Sequence, residues 1–594
     1  MSRLRDALSR FPVARLTTTR WVAVVAALLS SPALFHGFEV DDRLHRQAAL
    51  GVGRFGDMSS SPFDMFTFFT GDPARTSRYI DHGFTPWWTD PHVRVSFLRP
   101  LSSLLHWFDH HVLRHAVAIH AHSILWYVLV VVAAATLYRR LLGATWVAGL
   151  AALMYAVDHT HGLLAGWIAN RNATVAGAFA LAAVVLHDRA RKERSTRDAV
   201  LASFALGLAL FSAEAGLGIV GYLVAHAFTL ERERGARRLR GLVPYAAPLL
   251  LWAVVYKLGD HGARGSGLYI DPGRQPVEWL RRVVQHEPLL LGGELGVPGI
   301  DFHPFLGASG RAVLLAACLA VLAAFAIAIA PLFRRDATTR FFVIGAALSA
   351  LPACATFPSS RLLLLPSFGL LGAVAQLFAA WRDRAEWLPA RQPRRALTIG
   401  MAAYEGFGHL VLSPIVFILA LNQMVLFEGV VERHARGLPD DPRLSSQRLL
   451  IVNAPDAAFA SYITILREDR GQVVPAKLLV MGVGVRPLEL VRLDDRTVTL
   501  ASAAGLVGDS TDRLTRGYEP FIVGEVVKLS DLTVEIIEVN ADGVPTVVCF
   551  SFARPLENEA FRWMQWKDQT LAPFTPPKVG ERVSFPAQTI QIGP

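Results

Sequence analysis

Residues His120–Arg140 read HAHSILWYVLVVVAAATLYRR, an apolar run that ends abruptly in two arginines. A helix needs roughly 20 apolar residues to cross the hydrocarbon core of a membrane, and short cytoplasmic loops are enriched in lysine and arginine. The stretch therefore predicts a membrane-spanning helix whose C-terminal end faces the cytoplasm. Similar apolar runs recur along the chain as far as residue 425.

The composition of the whole chain agrees with a membrane protein. Of its 594 residues, 52% are hydrophobic and only 18% are charged, whereas soluble domains average about 25% charged residues. The formal net charge is +10, but the arginines cluster between apolar runs, which is typical of loops near anionic lipid rather than of a nucleic-acid-binding surface. The cysteines Cys318, Cys354 and Cys549 form no CxxC motif and predict no disulfide framework.

The arginine-rich segments predict how the chain threads the membrane. They lie at 1–20, 139–140, 189–197, 232–240, 334–340 and 382–395. If all of them are cytoplasmic, an even number of spans must separate each neighbouring pair, which predicts about eleven helices with the N-terminus inside and the C-terminus outside. The predicted spans lie near 21–38, 120–138, 145–157, 174–187, 199–213, 215–230, 242–257, 311–333, 341–356, 362–380 and 397–425.

The same parity places the polar segments on one outward side. These segments are loop 39–119, the hairpin tips 158–173, 212–214 and 356–361, and loop 258–310. After residue 425 the pattern changes to short runs rich in Val, Ile and Leu, punctuated by Gly, Asp and Pro, which is typical of strands. We therefore predict a fold of four parts: a cytoplasmic N-terminus (1–20), an α-helical polytopic membrane domain (21–425), a linker (426–446) and an outward all-β domain (447–594) with a core of its own.

Two adjacent carboxylates, Asp41 and Asp42, directly follow the first predicted span. A carboxylate at a membrane boundary is costly unless it is solvated, paired or metal-bound. It could accept a proton from an acceptor hydroxyl or hold a divalent cation against a phosphate. The simpler explanation of the pair alone is an acidic helix start in water.

The other outward segments contain further ionisable residues. Arg99 precedes a stretch rich in histidine, in which the spacing of His106 and His110 permits metal binding, although histidines on an amphipathic interfacial helix are the simpler explanation. Ionisable residues at membrane depth usually mark a functional site, while solvation of a loop tip would explain each one singly. The residues in question are Asp158, His159, His161, Arg171, Glu214, Lys257 and Arg361.

The order of these motifs resembles the GT-C superfamily of polytopic glycosyltransferases. It is most similar to the protein O-mannosyltransferases, especially the transmembrane-and-tetratricopeptide O-mannosyltransferases. The matching pieces within about residues 20–425 are Phe38–Asp42, Phe97–Leu101, Ile119–Leu125, His161–Arg171, Phe211–Ala215 and Ser360–Gly369. The chain departs from the pattern at Ala213, where relatives tend to have lysine, and in its β domain, where they carry tetratricopeptide repeats.

The resemblance implies a glycosyltransferase of the bacterial inner membrane with its catalytic loops in the periplasm. It would move a sugar from a polyprenyl-phosphate carrier to a periplasmic acceptor, with inversion. The resemblance implies Asp41 or Asp42 as the catalytic base or as a ligand of Mg²⁺ or Mn²⁺. The donor-phosphate ligands would be Arg99, Arg171, Lys257 and Arg361, and the auxiliary or acceptor-binding residues would be His106, His159, His161 and Glu214.

Two alternatives stay open from the sequence. A ligase or polymerase of lipid-linked glycan chains would favour a long outward loop rich in arginine, and loop 258–310 is long but not strongly basic. A non-catalytic membrane scaffold, with a β domain that binds an envelope partner, would tolerate the loss of Asp41 and Asp42. Membrane lipid is an expected partner in all three cases.

Overall fold

The computed structural model describes residues 19–58, 61–231, 233, 235–383, 392–508 and 511–589. Most of the predicted cytoplasmic N-terminus (1–20) and the centre of the basic segment 382–395 lie outside these residues. The α-helices are α1 Thr19–Ser30, α2 Asp41–Leu50, α3 Pro73–His82, α4 Pro100–Phe108, α5 Ala116–Leu142, α6 Trp146–Ala156, α7 Gly162–Gly166, α8 Arg171–Glu193, α9 Thr196–Leu210, α10 Ile219–Thr229, α11 Ala246–Leu258, α12 Pro276–Glu294, α13 Ala308–Arg335, α14 Ala337–Ala350, α15 Leu364–Arg382, α16 Gln392–Phe407, α17 Ser413–Leu421, α18 Gln423–Arg436 and α19 Ala457–Asp469. The strands are β1 Thr67–Thr70, β2 Arg94–Ser96, β3 Gly262–Arg264, β4 Arg448–Ile451, β5 Lys477–Val480, β6 Leu488–Arg492, β7 Thr497–Ala501, β8 Val526–Lys528, β9 Leu532–Val539, β10 Pro545–Phe552, β11 Phe561–Lys567, β12 Thr570–Pro573 and β13 Arg582–Phe585.

The chain is a multi-pass membrane protein. Within the described residues, 7 helices are long and apolar enough to cross a membrane. They are Ala116–Leu142, Ile168–Glu193, Gly235–Leu258, Ala308–Arg335, Ala337–Ala355, Leu364–Arg382 and Pro393–Arg436, and the apolar helices Thr19–Phe35 and Trp146–Ala156 are shorter. Every predicted span is helical over most of its length. Helix length and composition establish these helices but not the predicted total of about eleven spans.

Small residues let the membrane helices approach one another closely. Gly345 on α14 lies against the ring of Tyr222 on α10, and Gly369 on α15 lies against the carbonyl of Phe342, so a Cβ at either glycine would overlap these atoms. The Tyr222 hydroxyl donates to the Leu365 carbonyl (2.8 Å) and accepts from the Gly369 N–H (2.9 Å). Since lipid is as apolar as the helices, close contacts and hydrogen bonds of this kind hold the bundle together.

The two ends of the bundle differ in charge. At one end, Asp188 pairs with Arg140 (2.7 Å) and Lys192 (2.9 Å), and Glu231 pairs with Arg191 (3.0 Å), which joins the ends of α5, α8 and α10. We call this the basic end. At the opposite end, which we call the loop end, the antiparallel sheet β1-β2-β3 joins loop 39–119 to loop 258–310. Two of the predicted outward segments, loop 39–119 and loop 258–310, therefore come together at this end.

The C-terminal region is β-rich. It has an antiparallel six-stranded sheet of order β13-β6-β7-β10-β9-β8 and a four-stranded sheet of order β12-β11-β4-β5. In the second sheet β4 pairs in parallel with both β11 and β5, and parallel neighbours need a crossover connection. Helix α19 supplies it between β4 and β5.

The structure corrects two details of the predicted C-terminal organisation. The all-β prediction missed α19, because its β-branched centre (Ile463-Thr464-Ile465) obscures the helical pattern until the helix packs on α18. The predicted linker 426–446 is helical as far as Arg436, because α18 continues out of the membrane bundle to make that contact.

The first loop is packed into the C-terminal region rather than lying beside it. Trp87 and Trp88 are each 1% exposed within the hydrophobic core of that region. Their indole N–H groups donate to the carbonyls of Met481 (3.1 Å) and Asp512 (3.0 Å). The buried guanidinium of Arg448 adds ion pairs to Asp81 of the first loop and to Asp531. The core of the C-terminal region is therefore completed by the first loop.

Removing one of these indoles should weaken the packing of the first loop against the C-terminal region. We expect Trp87→Ala to destabilise the protein by ~3–5 kcal/mol, because it deletes a large buried side chain and leaves a cavity. Thermal unfolding of the purified protein in detergent measures the effect. Trp21→Ala is the control, because Trp21 is 62% exposed, and equal melting temperatures for the two variants would contradict the prediction.

Candidate functional site

The carboxylates Asp41 and Asp42 follow a strained turn at the start of α2. Val40 has φ 43° and ψ −109°, a conformation that a β-branched residue adopts only when the surrounding structure imposes it. Its N–H donates to Glu428 Oε2 at 2.9 Å, so α18 holds the turn. Strain of this kind is concentrated at functional sites.

Asp42 has a positioning role. Its side chain is buried, with Oδ1 accepting the Ala169 N–H (2.7 Å) and Oδ2 accepting the Glu39 N–H (3.2 Å). Burial raises the pKa of Asp42 to about 8, although both hydrogen bonds act in the opposite direction. Asp42 therefore fastens the first loop to the tip of the hairpin formed by α6 and α8.

Asp41 borders a cavity of about 180 Å³ between the first loop and the C-terminal region. The Tyr462 hydroxyl of α19 donates to Asp41 Oδ1. Burial raises the pKa of Asp41, while this hydrogen bond and the charge of Arg361 oppose the rise. The aromatic residues of the cavity wall are Phe68, Phe69, Phe84, Phe97, Tyr269 and Tyr462. A mostly apolar cavity with a few polar groups is typical of a ligand site.

Arg361 and Arg99 approach this cavity through stacked rings. Arg361 lies over Phe357 (5.4 Å), Arg99 lies over Phe97 (4.3 Å), and both rings contact Tyr269 of the cavity wall. No hydrogen bond or ion pair of the Arg361 guanidinium is found among the residues that the structure describes. Arg361 is therefore available to bind an anion.

Arg99 is already paired. Its Nε donates to Glu214 Oε2 (2.7 Å), and the other oxygen of Glu214 accepts the Leu98 N–H (2.9 Å). Glu214, predicted as an auxiliary or acceptor-binding residue, is thus the counter-ion of Arg99. Arg99 also borders a second cavity of about 480 Å³ with Arg94 and His261, so a phosphate could share it with Glu214.

Two other predicted phosphate ligands differ from Arg361. Arg171 is 1% exposed, and its guanidinium pairs with the buried Asp109 and donates to Ser123 Oγ (3.2 Å). It balances a buried carboxylate and is not accessible to a lipid phosphate, which corrects its predicted role. Lys257 is exposed at the end of α11 and does not border either cavity.

The predicted auxiliary histidines are mainly structural. His161 is buried between the Tyr155 carbonyl (3.0 Å) and Ser367 Oγ (2.9 Å). His159 contacts Ser413 Oγ at 3.1 Å. His106, expected at the membrane interface, is 1% exposed and stacks on His45 with 5.0 Å between ring centroids. None of the three borders the cavity beside Asp41.

A buried acidic cluster at the same hairpin tip was missed in the sequence. Asp158, Glu294 and His409 bring one potential ligand atom each within 4.8 Å of one another, and Glu405 contacts His409 Nε2 at 3.1 Å. Both oxygens of Glu294 are buried without a hydrogen-bond partner among the described residues, while Asp158 Oδ2 lies 3.3 Å from His409 Nδ1. Such orphaned carboxylate oxygens fit a divalent cation.

The cluster is a second candidate metal site besides the predicted ligands Asp41 and Asp42. Asp41 and Asp42 are not members of either three-residue group that could hold a metal within the described ranges. One sequence signal could have found the cluster: Glu405 and His409 stand four residues apart inside a predicted apolar span, where ionisable residues are rare and usually functional.

Comparison with known proteins gives matches only at the level of structure. No protein-family model and no curated protein matches the sequence. One similar solved structure is the Archaeoglobus fulgidus oligosaccharyltransferase tethered to an acceptor peptide, with 13% identity, a TM-score of 0.36, and coverage of 79% of this chain and 64% of that one. Another is AglB from Archaeoglobus fulgidus with an inhibitory peptide and a dolichol-phosphate, with 12% identity, a TM-score of 0.38, and coverage of 79% and 65%.

A third similar structure is ArnT from Cupriavidus metallidurans bound to undecaprenyl phosphate. The identity is 15%, the TM-score is 0.34, and the coverage is 77% of this chain and 90% of that one. The chain spans only 64% and 65% of the length of the two oligosaccharyltransferase chains.

Thermal stability should distinguish Arg171, which is paired with Asp109, from Arg361, which is available to bind an anion. We expect Arg171→Met to destabilise the protein by ~3–5 kcal/mol, because it leaves the buried Asp109 carboxylate without its counter-charge. Arg361→Met removes only ring contacts of its side chain and should cost about 1 kcal/mol or less. Thermal unfolding of both variants in detergent checks the difference. A larger loss of stability for Arg361→Met than for Arg171→Met would contradict the assignment of the two arginines.

Proposed function

We propose that the chain is an inverting membrane glycosyltransferase that moves a sugar from a polyprenyl-phosphate carrier to an acceptor at the loop end. Two groups of complementary function, a base and an anion ligand, lie at and next to one cavity, and this observation carries the proposal. Asp41, a carboxylate oriented by Tyr462, borders the cavity. Arg361, a guanidinium without an ion-pair partner among the described residues, stacks on Phe357, whose ring contacts Tyr269 of the cavity wall.

Asp41 is the proposed general base. An acceptor hydroxyl is a poor nucleophile at neutral pH, so its proton must be accepted as its oxygen attacks the anomeric carbon. Asp41 takes that proton, while the bond between the anomeric carbon and the phosphate oxygen breaks and its electron pair leaves with the carrier phosphate. The Tyr462 hydroxyl keeps the carboxylate in place and favours its charged form.

Arg361 is the proposed ligand of the leaving phosphate. The phosphate gains negative charge as the bond breaks, and a guanidinium can bind two of its oxygens at once. Stacking on Phe357 and Trp167 holds Arg361 in place without neutralising its charge. Arg99 could assist from the other side of Tyr269, since it keeps N–H groups beyond the Nε that binds Glu214.

A divalent cation such as Mg²⁺ or Mn²⁺ is a proposed cofactor. Asp158, Glu294 and His409 would hold it, with Glu405 as a hydrogen-bonded neighbour of His409. Bound there, the ion would supply positive charge next to the hairpin tip that Asp42 fastens to the first loop. Next to the cluster, the contact of His159 with Ser413 Oγ also holds the tip in place.

The basic loops of the sequence set the proposed orientation, and the cavity beside Asp41 bears on the substrate. The positive-inside rule places the basic end in the cytoplasm and the loop end in the periplasm of a bacterial inner membrane. The cavity of about 180 Å³ beside Asp41 would receive the reacting sugar unit of the donor. The C-terminal region forms part of the wall and would select the acceptor.

Substitution of the two central residues should abolish transfer while leaving the fold intact. We expect Asp41→Asn and Arg361→Met each to reduce the transfer rate by ~10²–10³, since each removes a group that acts mainly in the transition state. The assay uses purified protein and a panel of polyprenyl-phosphate sugars, with products identified by mass spectrometry. Asp57→Asn is the control, because Asp57 is an exposed carboxylate of the same loop.

Two outcomes would contradict the proposal. Full activity of a folded Asp41→Asn protein would remove the proposed base. Absence of transfer by the wild-type protein with every donor in the panel, together with a cellular phenotype that tolerates Asp41→Asn, would favour the non-catalytic scaffold.

The pH dependence of transfer should report the ionisation of Asp41. Burial raises its pKa and Tyr462 opposes that rise, so the base becomes active only as the pH increases through this raised value. We expect Tyr462→Phe to move the acid limb of the pH–rate profile to higher pH, because the carboxylate loses a hydrogen bond that favours its charged form. Tyr269→Phe, a change in the same cavity wall, should leave the limb in place. A shift to lower pH would contradict the assignment.

A further inference from the structure

A second cluster of ligating side chains lies at the basic end, away from the proposed catalytic cavity. His187 on α8, His226 on α10 and Glu231 just after α10 bring one potential ligand atom each within 4.8 Å of one another. The two imidazoles are 2% and 3% exposed, and their ring centroids are 4.6 Å apart. Nothing in the proposed transfer reaction uses these residues.

In each histidine, one ring nitrogen contacts a protein oxygen, and the other has no hydrogen-bond partner among the described residues. His187 Nδ1 lies 2.9 Å from the Tyr245 hydroxyl, and His226 Nε2 lies 3.4 Å from Asp188 Oδ1. The other nitrogens, His187 Nε2 and His226 Nδ1, are buried without a hydrogen-bond partner among the described residues. A buried polar atom without a partner is costly and calls for an explanation.

This arrangement matches the surroundings of metal-binding histidines. Such a histidine usually donates its second ring N–H to a carboxylate or another oxygen, which fixes the tautomer and aims the free nitrogen at the metal. Here Tyr245 and Asp188 supply those oxygens. His226 Nδ1 is 3.7 Å from Glu231 Oε1, too far for a hydrogen bond.

Ion pairs compensate the burial of the carboxylates at the basic end, but they do not compensate the burial of the two imidazole nitrogens. Arg191 holds Glu231, while Arg140 and Lys192 hold Asp188. A carboxylate oxygen has two acceptor positions, so Glu231 can keep Arg191 and still face a metal. The two orphaned nitrogens have no such explanation.

We propose that His187, His226 and Glu231 bind a zinc ion that ties α8 to α10 at the basic end. Two imidazole nitrogens and one carboxylate oxygen suit Zn²⁺, with water in the fourth tetrahedral position. Mg²⁺ and Mn²⁺ prefer oxygen donors, so the cluster of Asp158, Glu294 and His409 should differ from this one in metal preference. The zinc ion stabilises the helix pair and takes no part in sugar transfer.

The test uses the full chain, purified in detergent without a polyhistidine tag and stripped with a chelator. Zinc is then titrated, the bound zinc per chain is measured by plasma mass spectrometry, and the melting temperature is recorded. We expect zinc to raise the melting temperature of the wild type and of His409→Gln, but not of His187→Gln or His226→Gln. Cobalt added to the stripped wild type should give the visible absorption of a tetrahedral site.

A conservative pair of variants covers the case in which the histidine variants do not fold. Tyr245→Phe removes only the hydroxyl that holds His187 and should weaken zinc binding ~10- to 100-fold. Tyr222→Phe, the same change at another buried hydroxyl of the bundle, should leave zinc affinity unchanged. The proposal is overturned if Tyr245→Phe and Tyr222→Phe bind zinc equally well, or if zinc is lost only in His409→Gln.

Discussion

Two carboxylates at the end of the first membrane helix can remain there only because distant parts of the chain provide their partners. Asp42 accepts backbone N–H groups from Glu39 and from Ala169, and Asp41 accepts the hydroxyl of Tyr462. Each partner draws a different element to the start of α2: the hairpin tip in one case and the C-terminal region in the other. The cavity beside Asp41 exists because these elements meet at that point.

The C-terminal region is consequently part of the site and not an appendage. Trp87 and Trp88 complete its hydrophobic core from the first loop, and Arg448 adds a buried ion pair across the same boundary. Tyr462 reaches Asp41 only because α19 crosses from β4 to β5 over this interface. Substitutions in the core of the C-terminal region would thus affect the proposed base through its position.

Pairing decides which charges can do chemistry. Arg171 and Arg361 are both arginines of hairpin tips, yet Arg171 neutralises the buried Asp109, while Arg361 stacks on aromatic rings and has no ion-pair partner among the residues that the structure describes. A guanidinium that already satisfies a buried carboxylate cannot leave it without a large cost. A stacked guanidinium keeps its full charge for a ligand. In the same way, Asp42 is fixed by two backbone N–H groups, whereas Asp41 borders the cavity.

The sequence alone determined the features that depend on local composition. The helical segments follow from apolar runs bounded by arginines, and the strand-like runs predicted after residue 425 correspond to strands of the C-terminal region, because hydrophobic burial leaves its pattern in neighbouring residues. The parity of the basic loops predicted a common outward face, and the sheet β1-β2-β3 brings two of those predicted segments together at one end of the bundle. The helix α19 and the extension of α18 were not predicted, since each depends on the other for packing.

Only the tertiary structure decided which ionisable residues are paired, buried or available. Asp109 and Arg171 are 62 positions apart, Arg99 and Glu214 are 115 apart, and Asp41 and Tyr462 are 421 apart. No local pattern encodes such contacts, because the free energy of a buried charge depends on groups brought near it by the whole fold. For the same reason the clusters around Glu294 and around His187 became visible only when α8, α10, α12 and α16 were in place.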